Sequence, residues 1–323
     1  MSDLGRVLVL AGGLSHERDV SLRSGRRVAE ALREVGLDVE QRDADADLLA
    51  SLRHDAPDVV FPLLHGVSGE DGAIQEVLSL AGLPYVGSAP AACRLAFDKP
   101  VAKAIVRRAG IATPPSAVLS QATFRELGAA VLLDALVARL GLPLVVKPSR
   151  GGSALGTTMV RAADELPAAM VECFAYGEPA LIERWIDGTE VAISVLDTGD
   201  GPRALPPVEI VPESGTYDYH ARYTAGATEF FVPARLDTEA SAAVAEVAVA
   251  AHQTLGLSDL SRTDVIVDRD GLPWLLDVNV APGMTETSLL PQSVQAAGLD
   301  LGVLARELLA SAVDRHLQNQ NAG

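Results

Sequence analysis

The sequence predicts an α/β protein built in three successive blocks, the first of them on a parallel sheet. Three observations carry that expectation. Over residues 6–92, short apolar runs alternate with amphipathic helical stretches, the pattern of βαβ units. At 149–156 a glycine-rich stretch interrupts two β-like runs, which marks a strand-loop-strand unit. Beyond residue 183, several strand-like runs surround one helical stretch and the chain closes on a second. A length of 323 residues with 48% hydrophobic content suffices for two or three buried cores.

In the first block, strands are expected at 6–11, 36–42 and 58–64. Between the first two lies a helix with Val20, Leu22, Val28, Ala29 and Leu32 as its apolar positions. Ser15 is its expected N-cap and Gly36 its stop. A helix from Glu70 to Leu80 follows, ended by Gly82-Leu83-Pro84. The second block begins near Cys93, with a helix from Lys99 to Arg108, the pair Pro114-Pro115, a helix near 121–140 and a strand from Leu142 to Lys147. In the third, strands are expected at 190–197, 204–211, 263–268 and 273–279, with a helix at 238–256. The terminal helix, from about residue 300, keeps Leu301, Leu304, Ala305, Leu308, Ala312 and Val313 on one face and reads as a packing element. Without a low-complexity linker, the blocks are expected to pack on one another.

Composition narrows the partners. With 43 acidic against 26 basic residues, the net charge of −17 opposes binding to a nucleic-acid backbone or an anionic membrane. A small anionic ligand stays compatible, because lysines, backbone N–H groups and metal ions act at contact distance. The apolar run Val77 to Cys93 is broken by Gly82, Pro84 and Pro90, short of the roughly 20 residues that span a bilayer. The start, Met1-Ser2-Asp3, leads into a strand rather than a basic and apolar leader, so the cytoplasm is the expected compartment. Cys93 and Cys173 have no metal-ligand spacing and read as buried small hydrophobes.

Three constellations could carry chemistry. The glycine loop, preceded by Lys147, could offer an anion nest of backbone N–H groups. Its spacing matches neither the Walker A nor the dinucleotide pattern, and taken alone it fits a plain hairpin equally well. Gly12-Gly13 lacks the third glycine of a nicotinamide site. Near the C-terminus, Asp264 stands in one strand, while Asp277 and Asn279 share a face of the next. Two carboxylates and an amide oxygen form a hard-oxygen set suited to Mg²⁺, although strand-end acids often only face water. The third is His65-Gly66-Val67-Ser68-Gly69-Glu70-Asp71-Gly72, at the carboxyl end of an apolar strand, where parallel α/β sheets bind ligands.

Taken in order, these pieces resemble the D-alanine–D-alanine ligases, a family of ATP-grasp enzymes in peptidoglycan precursor synthesis. The resemblance covers almost the whole chain. It rests on Gly12 to Glu17; on His65 to Gly72 with Gln75, Gly82-Leu83-Pro84-Tyr85 and Gly87-Ser88; on Asp98-Lys99; on Val146-Lys147-Pro148-Ser149-Arg150; on Tyr217-Asp218-Tyr219 and Tyr223; on Arg262-Thr263-Asp264-Val265; and on Asn279 to Ser288. It implies a three-domain ATP-grasp fold with a Rossmann-like first domain. The expected divisions are a substrate-binding domain at 1–92, a central subdomain at 93–182 whose loop 149–156 covers phosphates, and a domain at 183–323 with the metal site and a 215–228 loop.

By the same resemblance, Lys99 and Lys147 contact phosphates, Arg222 joins the nucleotide site, and Glu183, Trp185, Ile186 and Glu190 bind the adenine and ribose side. Asp264, Asp277 and Asn279 carry two Mg²⁺ ions, with Mn²⁺ as a substitute. Arg262 and the Gly283 N–H stabilise the oxyanion. Glu17 pairs with the first D-alanine's ammonium and is linked through Ser153 to Tyr223, while His65, Ser288 and Leu289 surround the second D-alanine. A homodimer is implied as well. This chain departs from the commonest pattern at Asp277, where Glu is usual, at Ala154 for Ser, and at Arg184 and Arg222 for Lys; the stretch 215–223 is one residue short. By the resemblance, Tyr223 goes with the dipeptide-forming members rather than the depsipeptide-forming ones, and D-alanine is the expected acceptor, with D-lactate or D-serine as the alternative. The alternatives are a ligase for other amino acids and a catalytically silent nucleotide-binding protein.

Overall fold

The structure is a computed structural model, and it describes residues 4–213, 215–217, 221, 222, 224 and 226–322. Three sheets organise them. The first is parallel and has the order β2-β1-β3, from β1 (Arg6–Ala11), β2 (Asp38–Asp43) and β3 (Val59–Pro62). Val7, Leu8, Val9 and Leu10 are all buried, because helices cover both faces of the sheet. Helices α1 (Arg18–Glu34), α2 (Leu48–His54), α3 (Val67–Glu70) and α4 (Ala73–Leu80) surround it.

The expected helix at 70–80 is thus two pieces. Gly72 takes φ +87°, outside the helical range, and a Cβ there would collide with the Pro90 carbonyl. Ser15 does not cap α1 either. Glu17 is the N-cap residue, while the Ser15 hydroxyl accepts from the Glu17 N–H at 3.2 Å and donates to the His65 carbonyl at 2.8 Å. That bond ties the start of α1 to the end of β3.

The second block contributes α5 (Pro90–Phe97), α6 (Lys99–Arg108), α7 (Gln121–Glu126), α8 (Ala129–Leu140) and α9 (Leu166–Phe174). Its antiparallel sheet has the order β4-β7-β5-β6, from β4 (Ser116–Leu119), β5 (Leu144–Pro148), β6 (Thr158–Val160) and β7 (Ala180–Arg184). The predicted single helix at 121–140 breaks at Gly128, which takes φ +86°. β5 and β6 pair around residues 149–157, the strand-loop-strand that the glycines foretold.

The third sheet runs β11-β10-β8-β12-β13, with the short β9 (Arg203–Ala204) on β8. Its strands are β8 (Gly188–Leu196), β10 (Val208–Pro212), β11 (Thr228–Phe231), β12 (Leu260–Asp268) and β13 (Pro273–Asn279). Helices α10 (Thr238–Thr254), α11 (Leu289–Ala296) and α12 (Leu301–Ala322) complete the chain. The blocks interlock. Leu304, Leu308 and Leu309 of α12 share a core with Val28 and Leu32 of α1, so the C-terminal helix packs on the first sheet. Gly302 allows this approach, since a Cβ there would strike the Ala31 carbonyl. Among the described residues, no helix is long and apolar enough to cross a membrane.

Candidate active site

One cavity of about 280 Å³ opens where the three sheets meet. Except for Tyr223, which lies outside the described residues, every site residue expected from the sequence lines it: Glu17, His65, Lys99, Lys147, Ser153, Glu183, Trp185, Ile186, Glu190, Arg222, Arg262, Asp264, Asp277, Asn279, Gly283, Ser288 and Leu289. They come from every part of the chain.

The floor is β12 and β13. Their register sets Asp264 opposite Asp277 and Arg262 opposite Asn279, so four polar side chains project from neighbouring positions toward the cavity. Arg262 makes a two-pronged pair with Asp264, at 2.7 and 2.9 Å, and both are buried. Burial opposes both charges. The mutual attraction outweighs it, holding the Asp264 carboxyl below the usual carboxylate range and the guanidinium above its ordinary value. Asp277 accepts from the Val278 N–H and lies 3.5 Å from the Lys99 ammonium. The Asn279 amide oxygen accepts from the Ala281 N–H at 2.8 Å. Among the described residues, no three His, Cys, Asp or Glu side chains are grouped to hold a metal. The hard-oxygen set here is two carboxylates plus one amide, and this chemistry suits Mg²⁺.

Cations gather on one side. Lys147, on β5, pairs with Glu183 of β7 at 2.6 Å, and Lys103 of α6 pairs with the other oxygen of the same carboxylate. Burial pulls the Lys147 ammonium down, but Glu183 and Asp277 lift it above its ordinary value. Lys103 is pulled down to about 8 by burial, with Glu183 opposing. Glu183 is itself buried, yet the two ammonium groups hold it below the usual range. Its carboxylate is therefore engaged in fixing lysines. Lys103 escaped the sequence reading, because a lysine inside a helix ordinarily faces water.

Glu190 is pushed up to about 7 by burial, with Arg222 opposing the rise. The Arg222 guanidinium stacks 4.4 Å from the Tyr217 ring centre. Arg184 also lines the cavity and donates from Nε to the Leu140 carbonyl at 2.8 Å.

The cover is the 149–157 loop. Lys99 donates from its backbone to the Ser149 carbonyl and from its ammonium to the Gly151 carbonyl, at 3.0 and 2.5 Å. Arg150 pairs with Asp98, the N-cap of α6, at 2.9 Å. Ser153 and Ala154 both take left-handed backbone angles, φ 55° and 56°. Glu17 stands where the cover meets the first block. A Cβ on Gly152 would lie 3.3 Å from its carboxylate, and one on Gly66 2.7 Å away. Nearby, the buried Glu70 accepts from the Gly66 N–H at 2.9 Å. Burial first, and then the neighbouring Glu17, push its carboxyl up to about 8.

The substrate-side turn follows β13. Gly283 is packed so tightly that a Cβ would lie 2.7 Å from the Ser288 hydroxyl, which also accepts from the Thr285 N–H at 3.0 Å. Leu289 is buried at the start of α11. His65 is buried as well, and both its ring nitrogens have protein partners: the Ala281 carbonyl at 2.9 Å and the Ser24 hydroxyl at 3.1 Å.

Known proteins resemble the chain over most of its length. The family model for the D-ala D-ala ligase C-terminus matches residues 105–310, and that for the N-terminus matches 38–88. The D-alanine–D-alanine ligase of Anaeromyxobacter sp. (strain K) is 43% identical over 307 residues, covering 95% of this chain and 96% of that one. Among solved structures, the Bacillus anthracis D-alanine–D-alanine ligase complexed with ATP superposes with a TM-score of 0.81 at 30% identity, covering 98% and 99% of the two chains. The VanG D-Ala:D-Ser ligase from Enterococcus faecalis gives 0.82 at 30% identity, with 95% and 99% covered. The chain belongs to the D-alanine–D-alanine ligase family, with that family's ATP-grasp fold.

Proposed function

We propose that the protein joins two molecules of D-alanine into D-alanyl-D-alanine, using ATP and passing through D-alanyl phosphate, to supply peptidoglycan precursors. The observation that carries this reading is the meeting in one cleft of a carboxylate for an ammonium (Glu17), lysines for phosphates (Lys99 and Lys147), and a buried arginine beside a tight turn (Arg262 and Gly283).

A carboxylate is a poor acyl donor, so the first D-alanine must be activated. Its carboxylate oxygen attacks the γ-phosphorus of ATP, ADP leaves, and an acyl phosphate forms. Two anions have to meet, and Lys99 and Lys147 lower that repulsion. Glu17 holds the first substrate's ammonium. The amine of the second D-alanine then attacks the acyl carbon, the carbonyl oxygen becomes an oxyanion stabilised by Arg262 and the Gly283 N–H, and the C–O bond to phosphate breaks, with the nitrogen's surplus proton passing to the departing phosphate. Asp264, Asp277 and Asn279 fit two Mg²⁺ ions, which would neutralise phosphate oxygens, with Mn²⁺ as a substitute. Trp185, Ile186 and Glu190 border the adenine and ribose, Glu183 sets the Lys147 ammonium, and Arg222 reaches the phosphates. Ser288, Leu289 and His65 bound the second D-alanine, and Ser153 with Tyr223 closes the cover over the acyl phosphate to exclude water.

In this reading 1–92, 93–182 and 183–323 are the three domains, with α12 returning to the first, and the enzyme is a cytoplasmic homodimer. The test is phosphate release and product mass with purified protein, ATP, Mg²⁺ and D-alanine. D-Alanyl-D-alanine is the expected product. No dipeptide, or faster phosphate release when D-lactate or D-serine is added to D-alanine, would overturn it.

A further inference from the structure

Helix α1 starts at Glu17 and then grips the turn that follows β13 along one helical stripe. Val20 lies 3.9 Å from the Cβ position of Gly283. Arg23 pairs with Glu286 at 3.1 Å, and Arg27 donates to the Thr285 carbonyl at 2.5 Å. Positions 20, 23, 24 and 27 share a face at helical spacing. Ser24, fully buried in that stripe, accepts from the Met284 N–H at 3.0 Å and meets His65 Nε2 at 3.1 Å.

The direction of each bond in this chain is determined. The Ala281 carbonyl can only accept, so His65 Nδ1 carries a proton and donates to it, at 2.9 Å. Burial keeps the ring neutral by drawing it down to about 4. Nε2 is then an acceptor, and the Ser24 hydroxyl donates to it while receiving the Met284 N–H. Met284 N–H, Ser24 O–H and His65 thus form one polarised chain that ends on Ala281. It holds the turn on both sides of Gly283.

We propose that Ser24 is a positioning residue for the ligation step: together with His65 it clamps the turn from Ala281 to Met284 and so aims the Gly283 N–H at the acyl oxygen. The proposal rests on the ligase reading above, in which that N–H meets the oxyanion. His65 then acts on the second D-alanine's site through the turn it holds. Because one helix carries both Glu17 and Ser24, the grip on the first substrate and the aim of the oxyanion donor share a single rigid element.

The test separates the two half-reactions. Acyl phosphate formation is read by D-alanine-dependent positional isotope exchange in ATP, and ligation by dipeptide turnover at saturating substrate. In Ser24→Ala, dipeptide turnover should fall about 10- to 100-fold, in line with a misaimed oxyanion donor. Isotope exchange should stay within about two-fold, since that step does not use the Gly283 donor. Ser24→Thr, which keeps the hydroxyl, should recover most of the turnover. Equal loss in both half-reactions, or no loss in either, would overturn the proposal. If Ser24→Ala does not fold, ¹⁵N NMR of histidine-labelled wild-type protein decides, with the His65 signals assigned by their loss in His65→Gln. A neutral ring protonated on Nδ1 at pH 7 supports the clamp, and an imidazolium or an Nε2–H tautomer refutes it. A wild-type protein that made no dipeptide would overturn the proposed function instead, and the histidine spectrum would still judge the clamp.

Discussion

The floor and the cover of the cleft are built on opposite physical terms. On the floor, β12 is buried along nearly its whole length and bonded on both sides, so Arg262 and Asp264 are held by two ladders as well as by each other. The cover, the loop that joins the paired strands β5 and β6, lies beyond their ladder. Residues 151–157 are all only half-buried, and four of them, Gly151, Ser153, Ala154 and Gly156, take positive φ. Charges that must keep one geometry are embedded in a sheet interior, where desolvation strengthens their mutual hold. Groups that must let ligands in and then exclude water lie on a segment with few apolar contacts, which opens at low cost.

The most severe way to break this contrast is Arg262→Leu. It leaves Asp264 buried without its partner, which costs about 3–5 kcal/mol of stability. It also removes an oxyanion donor, so turnover should fall by a factor on the order of 10² or more. Denaturant unfolding and dipeptide assays measure both. A small loss of stability would mean that Asp264 is less isolated from water than β12 implies.

Glu70 tests the junction of cover and first block. Its folded-state carboxyl titrates near 8, above the ordinary 4.5. Its contribution to stability is therefore complete below about pH 4.5 and is lost as the pH rises through about 8. Glu70→Gln cannot titrate, so the stability gap between wild type and variant should shift by a few kcal/mol, in the variant's favour, between those limits. Thermal unfolding at several pH values reads this. A gap that does not change with pH would contradict it.

The anchor of the cover separates into two effects. Asp98→Ala removes the cap of α6 and the Arg150 pair together, costing about 1 kcal/mol. Asp98→Asn keeps a capping oxygen and should cost less than about 0.5 kcal/mol. Both should raise the Michaelis constant for ATP if the pair steadies the loop, and an unchanged constant in both variants would remove that role. The smallest effect belongs to Ala154→Gly. Relief of left-handed strain, about 1 kcal/mol, is offset by the greater freedom of glycine in the unfolded chain. The melting temperature should move by no more than a few degrees.

How much of this was legible beforehand depended on the range of the interaction. The first sheet, α6 and the β5–β6 unit followed from local periodicity and turn residues, and their limits fall within a few residues of those expected. Gly72 and Gly128 split predicted helices because a residue with positive φ ends a helix that its apolar spacing would continue. Ser15 looked like a cap, but its hydroxyl is taken up by the His65 carbonyl, beyond the end of β3. Among site residues, those in motifs were found, whereas Lys103 and Ser24 carry no local signal. A lysine and a serine within amphipathic helices look like solvated side chains until their neighbours are known.

By itself, the sequence determined the order of elements, the chemical types gathered for the reaction and the family. Each of these is written in residues close together along the chain or in a fixed succession of motifs. Only the tertiary structure decided that Glu183 binds two lysines, that burial and the nearby Glu17 raise the Glu70 carboxyl, and that His65 and Ser24 grip the turn around Gly283. Those pairings join residues far apart in the chain, and their energies come from desolvation, which exists only once the three sheets have closed around them.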